Sequence, residues 1–435
     1  MRITRRSRHV WLSRPQWNRR VVFLGGSIAV AIVAVGFAIA ANLANDLLHR
    51  MLTVWPWAPF VLAPAGFAAI SYASERWFAG AQGSGIPQTI AVLKHRDAGF
   101  RDRLLSLRVA AGKIVMTLVG LLCGGSIGRE GPTVQIGAAM MHSLARISPF
   151  PHESMRRGLI LAGGAAGVAA AFNAPLAGVV FAIEEMSRSF SQRTSGIVVA
   201  AVVFAGLVSL VILGNYAYFG HTSATVNFAS GSVAVVLCGI AGGVAGGCFS
   251  RLVIAASRGF AGRVAALRRE RPQVYAACCG LLLAVIGWLS QSTIYGTGYA
   301  ETRSIVAGAD VIPQTFGLLK LVATVVSYAS GIPGGIFSPS LAVGAGIGQN
   351  VALLVPHAPQ AAVVILGMVG YFSGVVQAPI TAFVIVIEMT RDSDMALPLM
   401  AVSLIAYGLS RLICPHPVYK ALSQSFRPED SVPRD

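Results

Sequence analysis

The sequence predicts an all-α, polytopic membrane protein with tilted and broken helices, built from two halves that resemble each other. Charged residues make up only 12% of the 435 residues, and the mean hydropathy is +0.67. A soluble domain carries about twice that share of charge, so lipid must cover much of this surface. Long apolar runs and an internal repeat are the other two observations that predict this fold class.

The N-terminal segment, residues 1–20, is basic, with seven arginines and no acid. Two further basic loops, Lys94–Arg108 and Arg258–Arg271, separate apolar segments. This positive-inside bias predicts that the N-terminus and both loops are cytoplasmic. It also accounts for the net charge of +17 without a nucleic-acid partner. The first apolar run is too long for a signal peptide and lacks a small-residue cleavage site, so we expect it to be retained.

Several apolar runs reach or approach the roughly 20 residues that cross a bilayer as a helix. They are Val21–Leu43, Val109–Cys123, Gly196–Leu213, Val233–Gly247 and Leu397–Leu409. The chain also has 48 glycines and 21 prolines. Such interruptions predict tilted, broken or re-entrant helices, which are tolerated where protein or a water-filled cavity satisfies the backbone. The six cysteines lie mostly inside apolar stretches, without metal-ligand spacing, and are expected to be small buried residues.

The chain aligns with itself at an offset of 204 (378 − 174). Ala174–Ala177 followed by Glu184 matches Ala378–Thr381 followed by Glu388. Two looser echoes pair Gly83–Thr89 with Gly296–Thr302, and Gly124–Pro132 with Gly331–Pro339. Chance explains one such echo but not three in the same order. We predict a first repeat at 21–215, a linker at 216–230, a second repeat at 231–423 and a short cytoplasmic tail at 424–435.

Four stretches are candidates for an anion path. They are Gly83-Ser84-Gly85-Ile86-Pro87, Gly128-Arg129-Glu130-Gly131-Pro132, Gly331–Pro339 and Pro417-Val418-Tyr419. In the first three, proline suits the opening turn of a helix and the glycines expose backbone N–H groups. Helix N-termini carry partial positive charge and free donors. Several of them converging inside the bilayer would bind a small anion moderately, as conduction requires.

These motifs, in this order and spacing, resemble the CLC family of chloride channels and proton-coupled chloride antiporters, and the resemblance covers about Gly25 to Ser423. It implies two inverted halves per subunit, a homodimer with one pore in each subunit, and chloride and protons as the transported ions. No cofactor or metal is implied. We expect a short prokaryotic-type member without a cytoplasmic regulatory domain, in a bacterial inner membrane, with both termini cytoplasmic.

The resemblance implies that the Ser84 and Tyr419 hydroxyls bind the central anion with the backbone N–H groups of Ile336 and Phe337. Taken alone, Ser84 would be a turn residue and Tyr419 an interfacial anchor. Ser84 also fits a preference for chloride over nitrate or fluoride. The supporting residues are Gly83, Gly85, Pro87, Lys113, Gly128, Arg129, Gly131, Pro132, Gly335 and Pro339.

Glu130 lies in an apolar, glycine-rich run at a helix start. A carboxylate there is costly and therefore functional by default. Its charge can occupy the position of an anion, and its protonation would open the path. The resemblance implies that Glu130 is the external gate and proton carrier. The alternative is an ion pair with Arg129 that neutralises both charges.

Glu184 and Glu185 are expected to close an apolar helix at Phe172–Ile183. The resemblance implies that Glu185 is the internal proton-transfer group, and its presence favours antiport. The alternative is a pair of solvated carboxylates. Glu184 matches Glu388 in the repeat, which indicates an architectural role.

Lys113 matches a buried family lysine that raises the local potential for anions, although it could instead snorkel to the interface. Family antiporters often carry acids just after the first motif, whereas Gln88-Thr89-Ile90 follow it here. An acid that would support Lys113 or the proton route is therefore missing at this position.

The predicted function is proton-coupled chloride antiport, with a passive voltage- or pH-gated chloride channel as the alternative. An intramembrane hydrolase is the rival from another class, because Gly124–Gly128 formally matches G-x-S-x-G. That motif requires a preceding strand, whereas an apolar helical run precedes it here, and the histidines are few and mostly in loops. We therefore expect no enzyme.

Overall fold

A computed structural model of the chain describes residues 14–147, 153–187, 192–214, 219, 228–259, 262–309, 311–392 and 394–426. Residues 1–13 of the predicted basic segment, most of the predicted linker and the end of the tail lie outside these ranges. Within them the structure is helical and contains no strand. The all-α prediction is therefore confirmed, whereas the repeat boundaries stay a prediction.

Nineteen α-helices and one π-helical turn lie in the described ranges. The helices are α1 (Arg14–Val54), α2 (Pro59–Arg76), α3 (Ile86–Lys94), α4 (Ala98–Leu104), α5 (Leu107–Leu122), α6 (Glu130–Ile147), α7 (Glu153–Phe172), α8 (Pro175–Phe181), α9 (Gln192–Leu213), α10 (Phe228–Arg258), α11 (Arg263–Glu270), α12 (Pro272–Leu289), α13 (Tyr299–Val306), α14 (Phe316–Ala329), α15 (Phe337–Ala352), α16 (Gln360–Val376), α17 (Pro379–Thr390), α18 (Ala396–Ile413) and α19 (Val418–Ser423). The π-helical turn, Ala182–Ser187, continues α8.

Six segments are long and apolar enough to cross a membrane: Val21–Val54, Ala98–Leu122, Gly196–Leu213, Gly231–Arg258, Pro272–Leu289 and Ala396–Ile413. They contain four of the five predicted apolar runs whole, and the fifth, Val109–Cys123, except for its last residue. At 1.5 Å per residue, α1 is about 60 Å long, twice the hydrocarbon thickness, so it must tilt or project from the bilayer. It begins inside the predicted basic segment, where Pro15 suits its first turn.

The repeat appears in the structure as the same helix crossing made twice. α6 crosses α7 where a β-carbon on Gly137 would lie 2.2 Å from the Gly163 carbonyl oxygen. α15 crosses α16 where a β-carbon on Gly344 would lie 2.7 Å from the Gly367 carbonyl oxygen. Only glycine permits this approach of two backbones, which is the usual device for packing helices in lipid. Gly163 and Gly367 are themselves related by the offset of 204 (367 − 163), so this part of the repeat encodes helix packing.

The two halves also brace each other through a reciprocal pair of glutamates. The Glu184 carboxylate accepts hydrogen bonds from the N–H groups of Ile380 (3.2 Å) and Thr381 (2.6 Å) at the start of α17. The Glu388 carboxylate accepts from Leu176 (2.9 Å) and Ala177 (2.6 Å) at the start of α8. Each acid thus caps the N-terminus of the matching helix in the other half. This contact gives the predicted architectural role of Glu184 a physical basis.

The predicted helix Phe172–Ile183 is wrong in detail. Phe172 ends α7, Asn173 is left-handed with φ 53°, and α8 begins at Pro175. Proline cannot continue α7 because it lacks an N–H and restricts the residue before it. The left-handed residue Asn173 therefore separates α7 from α8. Glu184 and Glu185 lie in the π-helical turn beyond α8.

Candidate functional site

Three of the predicted motifs meet at one place through their backbones. Gly128 and Gly335 form an isolated antiparallel bridge, each N–H donating to the other's carbonyl, at 2.6 Å and 2.7 Å. The Gly334 N–H donates to the Gly83 carbonyl at 3.1 Å. The two segments are equivalent in the repeat, at an offset of 207 (335 − 128), and they pair in opposite directions. The loops that precede α3, α6 and α15 are therefore held together.

Glycine is required at several points of this junction. Gly83 (φ 64°) and Gly85 (φ 104°) have backbone conformations that side chains disfavour. A β-carbon on Gly131 would lie 2.3 Å from Ser84 Oγ, so Gly131 leaves room for that hydroxyl. Pro87 is in the first turn of α3, as the sequence predicts, and Pro132 and Pro339 occupy the third positions of α6 and α15. The first N–H groups of each helix have no intrahelical acceptor and offer donors to an anion.

Ser84 and Tyr419 contribute hydroxyls to the same place. Both side chains are buried, and their hydroxyls face each other closely enough to interact, although neither makes a hydrogen bond of good geometry with any described residue. They are neighbours in space, because α19 packs against α3. Lys94 at the end of α3 donates to the Ser423 hydroxyl at 3.0 Å and fixes this contact. A buried hydroxyl without a partner costs stability, and an anion would satisfy both.

Glu130 begins α6 and is buried, with 1% exposure. Its Oε1 accepts a short hydrogen bond from the Ser338 hydroxyl in the first turn of α15. A β-carbon on Gly128 would lie 2.5 Å from Glu130 Oε2 and 3.3 Å from the Ser338 amide nitrogen. The carboxylate thus lies against the N-terminus of α15, on a position suited to an anion.

Arg129 does not form a close ion pair with this carboxylate. Its Nε lies 3.9 Å from Glu130 Oε1, at the limit for a salt bridge. One terminal nitrogen donates instead to the Ala38 carbonyl and to Asn42 Oδ1 of α1, the latter at 2.7 Å. Both side chains are buried, so the Arg129 charge still acts on the carboxylate at this distance, and partial neutralisation of Glu130 stays an alternative.

Ile336 and Phe337 lie at the start of α15, where their N–H groups belong to the free first turn. The Phe337 ring packs on Phe372 (4.3 Å between centroids), Phe172 (5.1 Å) and Phe181 (6.1 Å). These rings come from three different helices. They hold the N-terminus of α15 in place through apolar contact.

Glu185 lies in the π-helical turn and is 2% exposed. Both Glu185 and Glu130 lie within electrostatic range of the Tyr419 hydroxyl. Glu184, which precedes Glu185, caps the N-terminus of α17. The alternative of two solvated carboxylates does not apply, because one acid is buried and the other is bonded to backbone.

Lys113 is fully buried, and its Nζ donates to Gln135 Oε1 at 2.6 Å, so it does not snorkel. Gln135 in turn donates to the Gly80 and Leu104 carbonyls. Gln88, which follows the first motif, accepts from the Gly85 N–H at 3.0 Å and donates to the Gln82 carbonyl. Neutral amides thus shape the first motif and bind the ammonium.

Sequence reasoning missed Ser338, Gln135 and Lys320. Lys320 is buried and donates to the Ile294 and Gly296 carbonyls at 2.7 Å and 2.8 Å. The signal was present: Lys113-Ile-Val-Met-Thr117 matches Lys320-Leu-Val-Ala-Thr324 at an offset of 207 (320 − 113), the offset that relates Gly128 to Gly335. Each half therefore carries one buried lysine behind a glycine loop.

The G-x-S-x-G match has a structural explanation. Ser126 Oγ lies 2.9 Å from the Thr324 hydroxyl, and the Ser126 N–H donates to Ser327 Oγ at 3.0 Å. Through these hydrogen bonds Ser126 links the first half of the chain to the second. Within the described ranges, no group of three or more His, Cys, Asp or Glu residues could hold a metal ion.

The sequence of the chain is similar to a protein family and to proteins of known name. A family model described as voltage gated chloride channel matches residues 65–411. A protein named H(+)/Cl(-) exchange transporter ClcA from Vibrio cholerae is 32% identical over 95% of this chain and 91% of its own length. Its namesake from Vibrio vulnificus is 30% identical over 92% of this chain and 89% of its own.

Solved structures share the fold. A slow cyanobacterial Cl−/H+ antiporter superposes with a TM-score of 0.80 and 24% identity, over 93% of this chain and 97% of that one. A CLC-type fluoride/proton antiporter gives 0.79 and 22%, over 92% and 96%.

Proposed function

The chain belongs to the voltage gated chloride channel family, the CLC family, and from that premise we propose that it is a proton-coupled chloride antiporter. The curated relatives above 30% identity are named as H+/Cl− exchange transporters over nearly the whole chain. This likeness favours exchange over passive conduction. The structure of the chain is that of a multi-pass membrane protein.

The observation that carries the proposal is the position of the Glu130 carboxylate. It lies against the first turn of α15, bonded to the Ser338 hydroxyl. A helix N-terminus stabilises negative charge, whether carboxylate or halide. Protonation removes the charge and weakens that attraction, so an anion can replace the side chain. One residue thereby links proton binding to anion passage.

The central anion site is proposed between the Ser84 and Tyr419 hydroxyls and the N–H groups of Ile336 and Phe337. All four donors are neutral, so they satisfy chloride without trapping it. Buried Lys113 adds positive potential behind Gly85, where a β-carbon would lie 3.1 Å from its Nζ. Gly83, Gly85, Gly128, Gly131 and Gly335 supply the close backbone approach.

Glu185 is proposed as the internal proton-transfer group. It is buried and, like Glu130, lies within electrostatic range of the Tyr419 hydroxyl. A buried acid at membrane depth is a functional candidate. Protons would then pass between Glu185 and Glu130, while chloride passes along the path lined by the two hydroxyls.

We further propose a homodimer in a bacterial inner membrane with cytoplasmic termini. The family resemblance implies the dimer, and the basic loops imply the orientation. Exposed apolar residues on the face formed by α8, α9, α17 and α18 suit a subunit contact. They include Leu176, Leu207, Ile380 and Leu404.

The test is proton movement in proteoliposomes under a chloride gradient. We expect wild-type protein to drive protons uphill. Glu185→Ala should abolish that proton transport and still pass chloride, because the anion donors remain intact. Chloride flux without proton movement in the wild type would identify a passive channel and remove the proposed role of Glu185.

A further inference from the structure

A cavity of about 230 Å³ lies apart from the proposed anion site, between the end of α1 and the turn that starts α13. Its lining includes Asn42, Asp46, His49, Thr297 and Glu301. The turn is the second-half echo of the Ser84 motif. We call this cavity the outer vestibule, since cytoplasmic termini would put the end of α1 on the outer side.

The vestibule adjoins the gate region through α1. Asn42 lines the cavity and accepts the hydrogen bond of the Arg129 guanidinium at 2.7 Å. One helical turn further along, Asn45 donates to the Thr297 hydroxyl at 3.5 Å and ties α1 to the turn. The Nε of the same guanidinium lies 3.9 Å from Glu130 Oε1, so one side chain links the vestibule to the gate.

His49 and Glu301 form an acid–base pair in the vestibule. His49 Nδ1 lies 2.8 Å from the Asn45 carbonyl oxygen, which only accepts, so Nδ1 carries a hydrogen. The atom that gains and loses a proton is therefore Nε2, which lies 3.6 Å from Glu301 Oε1. The His49 side chain is 44% exposed and that of Glu301 8% exposed. Protons thus reach the imidazole from water, whereas the carboxylate stays behind it.

The other charges around His49 are few. Lys320 of α14 acts on it electrostatically, but that ammonium is bound to backbone carbonyls. Asp46 and Arg50 are exposed on α1 itself. Tyr295 and Tyr299 also line the cavity and are uncharged when protonated. Lys320 also acts on Glu301 electrostatically, so the protonation state of His49 changes the charge around the Glu301 carboxylate by one unit.

We propose that His49 and Glu301 set the charge of the outer vestibule and thereby the rate at which anions reach the gate from outside. With His49 protonated, the pair is neutral and chloride approaches freely. As pH rises and Nε2 loses its proton, the vestibule gains one negative charge and repels chloride. Chloride access should fall as pH rises and His49 loses its proton. The inference rests on the proposed function and orientation.

The test uses a variant without the Glu130 carboxylate, so that the titration of the gate does not contribute to the pH profile. In a Glu130→Ala background, radioactive chloride exchange is measured in vesicles at equal pH on both sides. We expect exchange to fall about twofold to fourfold between about pH 5.5 and about pH 8, the size of one partly screened unit charge. Adding His49→Gln should flatten the profile at the lower rate. Adding Glu301→Gln should raise exchange at the higher pH.

His357→Gln is the matched control. His357 is exposed in the connection that follows α15. α6 ends beside the basic loop, where His142 bonds Asp102 at 2.8 Å, so its inverted counterpart α15 ends on the outer side. This variant should keep the parental pH profile. Added sodium gluconate should shrink the effect of His49, since salt screens charge.

A pH profile that His49→Gln leaves unchanged would overturn the inference. Equal exchange in Glu301→Gln and its parent at high pH would do the same. Neither result bears on the proposed function, which depends on proton transport by the wild-type protein.

Discussion

The paired loops at Gly128 and Gly335 have the same backbone and different side chains. Each precedes a long helix whose first turn contains a proline, and each bonds to the other. Between glycine and proline, the first loop carries Arg129 and Glu130, whereas the second carries Ile336 and Phe337. The shared backbone supplies two helix N-termini for an anion. The difference supplies one carboxylate, that of Glu130, which lies where an anion could bind.

The same contrast recurs at the π-helical turn. Glu184 and Glu388 are duplicated, and both cap helices across the repeat boundary. Glu185 has Met389 as its counterpart. Duplicated residues thus support the fold, whereas acids that occur once are candidates for proton transfer.

Replacing Glu130 removes the difference between the loops, so the largest effect is expected there. Glu130→Ala should lower chloride-driven proton transport at least about tenfold, because no carboxylate then competes at the N-terminus of α15. Chloride flux should persist, since its donors are backbone and hydroxyl groups. Proton and chloride fluxes in the same vesicles measure both.

Ser338→Ala is the control for this substitution. It removes the hydroxyl bonded to Glu130 Oε1 and keeps the acid. Proton transport should therefore survive. Uphill proton transport by Glu130→Ala at the wild-type rate would contradict the assignment of coupling to this loop.

The sequence was sufficient for the motifs and insufficient for their pairing. Helix starts at Ile86, Glu130 and Phe337 follow from local glycine and proline chemistry. The bridge between Gly128 and Gly335 is a contact across 207 positions (335 − 128), and no local pattern encodes it. Its presence had to be seen in three dimensions.

Elsewhere the missing information was of two kinds. Lys320 carries a readable repeat signal in Lys-x-Val-x-Thr that was overlooked, so this residue was predictable. The vestibule was not predictable, because His49 and Glu301 are distant in sequence and lie in segments with ordinary helical patterns. The break at Asn173 was obscured because apolar residues continue on both sides of it.

The reciprocal caps should cost stability and leave coupling unchanged. Glu184→Ala and Glu388→Ala each strip a carboxylate from two backbone N–H groups, for about 1–2 kcal/mol. Glu184 should cost slightly more, because its Oε2 also accepts from the Thr381 hydroxyl at 2.7 Å. Thermal unfolding in detergent should show a lower Tm for both variants.

The control repeats both substitutions in a Thr381→Ala background. Without the Thr381 hydroxyl, Glu184→Ala and Glu388→Ala should lower the stability by the same amount. The comparison between duplicated and single acids fails if Glu184→Ala abolishes proton transport and Glu388→Ala does not. That result would place Glu184 in the proton path.

The smallest effect is expected where the two halves carry similar hydroxyls. The Ser84 hydroxyl faces the Tyr419 hydroxyl and makes no hydrogen bond of good geometry with any described residue, whereas the Thr297 hydroxyl accepts from Asn45 and from the Tyr299 N–H at 3.4 Å. Ser84→Ala should weaken chloride binding by about 1 kcal/mol, roughly fivefold, as measured by calorimetry. Thr297→Ala should leave the affinity unchanged, because its hydroxyl is already used to tie α1 to the turn. Equal losses in both variants would mean that the repeat kept two anion sites, and that only the charged residues of the first half distinguish them.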